Sequence, residues 1–236
     1  MAKNAFKILI IFIIGTAGGI FADQIFWPYF IERPLFFEYK LDKPPIYINE
    51  TKQVFVQENV ALQEAVDKLE KVVVGVRTET KSKKILEGSG LIITSDGLII
   101  TLAELLPKES KTTIFFDGKV FSPKVLLTKD KFALLKVNEN NLPTTGFADF
   151  EKIKLGQRVF LIGVFFEGIK PQKIVNEGII RYLNEEEINT SIFDKKNLQG
   201  SPMFNIEGNV LGLNIFDEEG RATSIPIAKI KEFLGF

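Results

Sequence analysis

The sequence has no histidine and no cysteine among its 236 residues. Histidine is the usual general base near neutral pH and the commonest metal ligand, so its absence excludes Ser-His-Asp chemistry and histidine-bound metals. The absence of cysteine excludes disulfides, thiol catalysis and thiolate metal sites. A hydrolase built from this chain would need lysine, aspartate or glutamate as its base. We therefore expect no metal and no other cofactor.

The sequence also has no excess of charge, because 30 basic residues balance 30 acidic ones. Without a net positive field the chain is not attracted to nucleic acid, and we expect no nucleic-acid partner. The length and the 45% share of hydrophobic residues are typical of a globular protein with one substantial core. We therefore expect one folded domain.

The N-terminus carries the longest apolar stretch. Residues 1–7 contain two lysines and precede an uncharged run, Ile8–Ala22, after which the apolar character continues to Trp27. About 20 apolar residues suffice for one bilayer span, so we predict a transmembrane signal anchor over residues 8–27, with a cytoplasmic start. A cleaved signal peptide is the alternative, although Ile20 is not the small residue that a cleavage site prefers. We expect the globular part to lie outside the cytoplasm.

Residues 28–56 form a segment rich in proline and aromatic residues. Its four prolines prevent a long helix, which predicts an extended linker. Its aromatic side chains, Phe36 and Phe37 among them, give it more apolar surface than a free linker exposes. They rest on the bilayer or on the domain's own surface, or they form a contact between subunits.

Residues 57–236 have the pattern of an all-β domain. A helix is predicted between Asn59 and Lys71 by apolar residues at helical spacing, and Ile227–Phe236 resumes that spacing. Between them, short runs rich in β-branched and aromatic residues alternate with turn signals such as Asp117-Gly118, which predicts an antiparallel sandwich or barrel. The predicted strands are 72–77, 85–94, 98–102, 113–116, 120–127, 132–137, 158–163, 174–183, 201–204 and 210–216.

Several of these segments, in the same order, resemble the HtrA/Deg branch of trypsin-like serine proteases. The segments are GSGLIITSDGLIIT at 88–101, FALLKV at 132–137, LGQRVFLIG at 155–163, EGIIR at 177–181 and LQGSPMF at 198–204. The resemblance covers residues 57–236. It implies two antiparallel six-stranded β-barrels, flanked here by short helices and the N-terminal transmembrane helix. The PDZ domain that the family often carries is not expected.

The resemblance also places the family's catalytic positions. Its histidine falls on Glu104, its aspartate on Lys131 and its serine on Gln199. A glutamine amide cannot form the acyl intermediate, and a lysine brings positive charge where an imidazolium needs stabilising, so the resemblance implies a pseudoprotease. We expect Glu104 and Lys131 to form a static ion pair, with Gln199 donating to Glu104. The alternative is that these side chains face solvent.

The loop around the former nucleophile raises two further possibilities. The family's oxyanion hole uses backbone amides that here belong to Asn197 and Gln199, next to Gly200 and Ser201. An asparagine tolerates left-handed backbone angles better than most residues, so the turn can survive without its glycine. Ser201 is the nearest hydroxyl, and Ser201 with Glu104 as its base is a conceivable non-standard endopeptidase.

These features favour a catalytically inactive protein that binds other proteins or peptides in the cell envelope. An extended peptide can add to the strand Leu213, Asn214, Ile215 by β-augmentation. The alternative is a structural subunit of an oligomeric envelope complex that includes an active relative. The resemblance implies a trimer in that case, with Phe36 and Phe37 as the contact.

Overall fold

The computed structural model describes residues 2–32, 58–194 and 198–235. The chain divides into two compact units, Met1–Phe55 and Val56–Phe236. In the first unit, helix α1 (Ala2–Phe21) continues into a π-helical segment, Ala22–Glu32. The 25 residues Lys3–Trp27 extend over both segments and form a helical stretch that is long and apolar enough to cross a membrane. None of them is buried. The predicted apolar helix at the N-terminus is therefore present.

The second unit begins with helix α2 (Glu58–Leu69) and a 3-10 turn that ends at Val72. The spacing of the apolar residues predicted this helix, and Ala65 and Leu69 are buried against the core. The first sheet follows, with strands β1 (Val73–Glu79), β2 (Ile85–Ile92), β3 (Leu98–Leu102), β4 (Lys111–Phe116), β5 (Lys119–Phe121), β6 (Lys124–Lys129) and β7 (Phe132–Lys136). Their order is β5-β4-β1-β2-β3-β7-β6, and every pair is antiparallel.

The two edge strands of this sheet, β5 and β6, are consecutive in the chain. One strand was predicted over 120–127, but Ser122 and Pro123 interrupt it. Proline has no N–H to donate to a ladder, so it separates the part that pairs with β4 from the part that pairs with β7. Where a first six-stranded barrel was expected, the structure therefore has an open seven-stranded sheet, whose fifth and sixth strands share one sequence segment.

The second sheet is a closed barrel. Its strands are β8 (Arg158–Glu167), β9 (Lys170–Leu183), β10 (Ile188–Phe193), β11 (Pro202–Asn205), β12 (Val210–Phe216) and β13 (Arg221–Pro226), ordered β10-β13-β12-β11-β8-β9. Helix α3 (Ile227–Leu234) follows and is capped by Gly235, whose φ of 83° lies in the left-handed region. The predicted all-β fold with short flanking helices is confirmed.

One hydrophobic core joins the two sheets. It combines side chains of the first sheet, such as Val76 and Leu91, with Ile162 of β8 and Phe204 of β11. The rings of Phe160 and Phe204 stack with centroids 5.5 Å apart, and both are fully buried. A second cluster fills the closed barrel itself. The loop between β10 and β11 lies against β2 of the first sheet, as the hydrogen bonds below show.

Candidate functional site

Glu104 and Lys131 lie on neighbouring segments, but their side chains do not pair. The 3-10 turn Ala103–Leu105 carries Glu104 directly after β3, and Lys131 precedes β7. The backbone N–H of Ala103 donates to the carbonyl oxygen of Lys131 at 2.9 Å. Both side chains are exposed, and no ion pair joins them in the described part of the chain. The predicted static ion pair between Glu104 and Lys131 is therefore wrong.

Lys131 instead lines a cleft between the β6–β7 turn, the β9–β10 turn and α3. The cleft has a volume of about 250 Å³, and Glu186 and Lys229 form an ion pair of 2.6 Å at its rim. The hydrogen bond from Lys229 lowers the pKa of Glu186, and the charge of Lys131 adds a smaller effect in the same direction. Among the described residues, no group of three or more acidic side chains is placed to hold a metal ion.

The backbone of the loop around Gln199 is fixed from both sides. Ser201 N–H donates to Leu198 O at 3.1 Å, which closes a tight turn with Gly200 at a φ of +74°. Gln199 O accepts from Ser89 N–H at 2.8 Å, and Gly200 N–H donates to Asn214 O at 2.9 Å. A Cβ atom on Gly200 would lie 2.4 Å from Ser89 O. This position therefore requires glycine for its backbone angle and for the close approach of β2.

Ser89 is a buried residue of the site that sequence reasoning missed. Besides donating its N–H to Gln199, it accepts from Thr101 Oγ1 at its carbonyl oxygen at 2.6 Å. Its hydroxyl accepts from the N–H of Val164 in β8 at 2.8 Å. Ser89 thus bonds its own sheet, the closed barrel and the loop. The available signal was a serine between two glycines in a strand whose second half is otherwise apolar.

The side chain of Ser201 is enclosed and bonded to Asn214. Its side chain is fully buried, and its Oγ accepts from Asn214 Nδ2 at 3.2 Å. The same Nδ2 donates to Ser201 O at 2.9 Å. Neither a hydrogen bond nor an ion pair links Ser201 to the exposed Glu104 among the residues described. The conceivable Ser201–Glu104 pair is therefore not assembled.

The side chain of Gln199 bonds the backbone of Phe216. Gln199 Nε2 donates to Phe216 O at 2.9 Å, and Phe216 N–H donates to Gln199 Oε1 at 3.1 Å. A primary amide offers one carbonyl and two N–H groups, so it pairs with β12 as a neighbouring peptide group does. The expected donation from Gln199 to Glu104 is replaced by this contact. Both Gln199 and Phe216 are half-buried.

The strand Leu213, Asn214, Ile215 has no open edge. Leu213 lies between Pro202 of β11 and Ile225 of β13, and Ile215 pairs with Thr223. Asn214 N–H donates to Ser201 O at 2.8 Å, while Asn214 O accepts from Gly200 N–H. The prediction of a free peptide-binding edge over these residues is corrected, because the loop already occupies it. The predicted oxyanion position Asn197 and the predicted contacts Phe36 and Phe37 lie outside the described residues.

An open seven-stranded sheet packed against a closed six-stranded barrel, with the β10–β11 loop bonded between β2 and β12, defines a protein of the trypsin-like class. The chain belongs to the family of trypsin-like peptidase domains, whose model matches residues 88–213. The segments read from the sequence as HtrA/Deg-like lie largely within that match, and the relatives agree with them.

The relatives are serine proteases by name. A probable periplasmic serine endoprotease DegP-like of Halomonas elongata is 33% identical over 159 residues, which cover 62% of this chain and 33% of the relative. A putative serine protease HhoB of Synechocystis is 28% identical over 158 residues, or 59% of this chain and 37% of the relative. Serine protease HTRA1 of Xenopus tropicalis is 27% identical over 164 residues, or 62% and 35%. The chain therefore aligns with about a third of the length of these curated relatives.

Proposed function

We propose that this chain is a catalytically inactive, membrane-anchored member of the HtrA/Deg-type peptidases that binds proteins or peptides in the cell envelope. The inactivity is inferred from the chemistry of the residues. Glu104, Lys131 and Gln199 stand where the resemblance puts the triad, and no histidine exists anywhere in the chain to act as base.

The hydrogen-bonded amide of Gln199 is the observation that carries the proposal. A working nucleophile must point its reactive atom toward the substrate carbonyl, with a base in reach of its proton. Gln199 has no such atom, and both ends of its amide are bonded to Phe216. The hydroxyl of Ser201, two residues further along the loop, belongs to a fully buried residue. The loop therefore supports a binding or structural role better than hydrolysis.

The envelope location is inferred from two features. The N-terminal helix is long and apolar enough to cross a membrane. The DegP-like relatives are named as periplasmic. We infer that the helix stays as a single-pass anchor and that the double-barrel domain lies outside the cytoplasm. Alkaline extraction of membranes, with an immunoblot for the intact chain, tests the anchor, because a cleaved signal would release a shorter, soluble domain.

The inactivity is tested with a fluorophosphonate probe and with labelled casein, using the full chain in detergent and an active trypsin-like protease as positive control. We expect neither probe labelling nor casein cleavage. A Gln199→Ser variant is a matched second sample, because it supplies the hydroxyl but still has no histidine. We expect it to stay inactive as well. Labelling of either sample at a residue of this loop would refute the proposed inactivity.

The binding role is tested independently by crosslinking in intact membranes followed by mass spectrometry. We expect envelope proteins crosslinked to the double-barrel domain and absent from a control that expresses only the N-terminal helix. Repeated recovery of the chain alone would contradict the binding role and leave the inactivity untouched.

A further inference from the structure

Five lysines meet at one end of the open sheet. Two chain segments bring them together, the turn between β1 and β2 and the stretch that leads from the 3-10 turn after β3 into β4. Glu79 of β1 pairs with Lys111 of β4 at this end, so the two segments lie side by side. The five residues are called the lysine patch, and all of them are exposed: Lys81, Lys83, Lys84, Lys108 and Lys111.

The lysine patch stands on a fixed backbone. In the β1–β2 turn, Thr80 N–H donates to Lys84 O at 2.9 Å, and Lys83 N–H donates to Thr80 O at 3.0 Å. In the other segment, Ser110 Oγ donates to Pro107 O at 2.6 Å. Because these bonds hold both segments in place, the lysine side chains leave the surface from defined positions.

The positive charge of the patch is only partly compensated. Lys81 pairs with Glu109, and Lys83 pairs with Glu79 at 2.9 Å. These four side chains are between 42% and 85% exposed, and exposed ion pairs are weak. The other three lysines of the patch take part in no ion pair among the residues that the structure describes. Five lysines against two glutamates leave an excess of three positive charges, in a chain whose net charge is zero.

An anionic bilayer surface has the chemistry that this patch fits. Each lysine that comes close to anionic headgroups strengthens binding by about five-fold. Ile85, next to Lys84 at the start of β2, is 40% exposed and presents an apolar side chain to the headgroup boundary. The N-terminal helix is long and apolar enough to cross a membrane, so a bilayer stays within reach of the domain and even a weak contact is effective. A soluble polyanion lacks this advantage, since nothing holds it near the domain.

We propose that the lysine patch is a docking surface for the anionic phosphate headgroups of the bilayer that holds the N-terminal helix. The proposal goes beyond protein binding and rests on the proposed membrane anchor. Because the chain as a whole is neutral, an anionic surface attracts this end of the open sheet rather than the whole domain. An excess of three charges predicts a preference of about 100-fold for docking on an anionic over a neutral bilayer.

A single fluorescent probe tests the docking, because the chain has no cysteine of its own. The full chain carries Ser82→Cys in the β1–β2 turn, labelled with a fluorophore, and is reconstituted into nanodiscs whose lipids include doxyl quenchers. Discs of phosphatidylglycerol are compared with discs of phosphatidylcholine. We expect strong quenching in the anionic discs only. The fluorescence should recover at about 1 M salt, where the Debye length is about 3 Å.

Charge removal separates the patch from positive charge in general. The patch variant replaces the three lysines that have no ion pair, by Lys84→Gln, Lys108→Gln and Lys111→Gln. We expect it to lose the quenching. The matched control replaces three exposed lysines outside the patch, by Lys124→Gln, Lys129→Gln and Lys154→Gln. We expect the control to keep the quenching, because it loses the same charge elsewhere on the domain.

Several outcomes would overturn the docking. Equal quenching in anionic and neutral discs would do so, and so would equal loss of quenching in the two triple variants. A probe that responds to an added acidic polypeptide in neutral discs, but not to anionic lipid, would assign the patch to an acidic protein instead. Failure of the chain to stay with either kind of disc would overturn the membrane anchor and the docking with it. The first three outcomes leave the anchor and the binding role standing.

Discussion

Replacing Gly200 by alanine should destabilise the domain for two separable reasons. The first is the φ of +74°, which costs an L-residue about 1–2 kcal/mol in the left-handed region. The second is the Cβ contact of 2.4 Å with Ser89 O, which forces β2 and the loop apart. That movement breaks the hydrogen bond from Thr101 Oγ1 to Ser89 O in a buried site, a further loss of about 1–3 kcal/mol.

Gly118 provides the matched control for the first reason. It has a φ of +70° in the turn between β4 and β5, and a Cβ there would meet no atom within 4 Å. Gly118→Ala therefore measures the backbone strain alone. We expect Gly200→Ala to be less stable than Gly118→Ala by about 1–3 kcal/mol, or about 2–12 °C in midpoint temperature for a domain of this size.

The assay is thermal unfolding of the full chain in detergent, followed by far-ultraviolet circular dichroism. The same comparison is then made in a Thr101→Val background. Valine lacks the hydroxyl whose hydrogen bond to Ser89 O is expected to break in Gly200→Ala. The extra loss of stability caused by Gly200→Ala should then be smaller, because the effects of substitutions at contacting residues are not additive. Equal loss in Gly200→Ala and Gly118→Ala would refute the reasoning, since it would mean that β2 does not press on the loop.

Two other predictions concern the charge and assembly of the chain. Partial burial of Lys173, whose side chain is 37% exposed, lowers its pKa below the usual 10.5, so the folded state disfavours its charge. The unmodified chain should therefore gain stability relative to Lys173→Met as pH rises toward 10.5. Urea unfolding across alkaline pH measures this, and a constant difference would contradict it. For the predicted trimer, Phe36→Ser with Phe37→Ser should reduce the mass in light scattering. An unchanged mass would reject that contact.

The sequence pattern predicted most strands because their buried residues are apolar and evenly spaced. Strands β10 and β13 were missed. Strand β10 reads INTSIF and places the polar Thr190 on its buried face. Thr190 is tolerated there because its hydroxyl donates to Ala222 O at 3.0 Å. A pattern of apolar alternation cannot reveal an inward polar residue whose partner is 32 positions away.

The contacts of the predicted site residues could not be predicted from the sequence. The resemblance placed Glu104 and Lys131 on segments whose backbones do bond one another. The conformations of their side chains depend on solvent and on neighbouring residues in space, which the spacing of residues in the sequence does not specify. The pairing of Gln199 with Phe216 joins a side chain to a backbone 17 residues away. Such a contact depends on how the loop is seated between two sheets, and no local pattern marks it.

The bonds made by Ser89 have a consequence for how the domain opens. One residue satisfies buried groups of β3, β8 and the loop, so detaching either sheet leaves polar atoms of the other without partners. Partial opening at the junction is therefore costly, and the shared hydrophobic core adds to that cost. The two sheets should consequently unfold as one cooperative unit, with slow amide exchange in β2 and β8 occurring through the same global event.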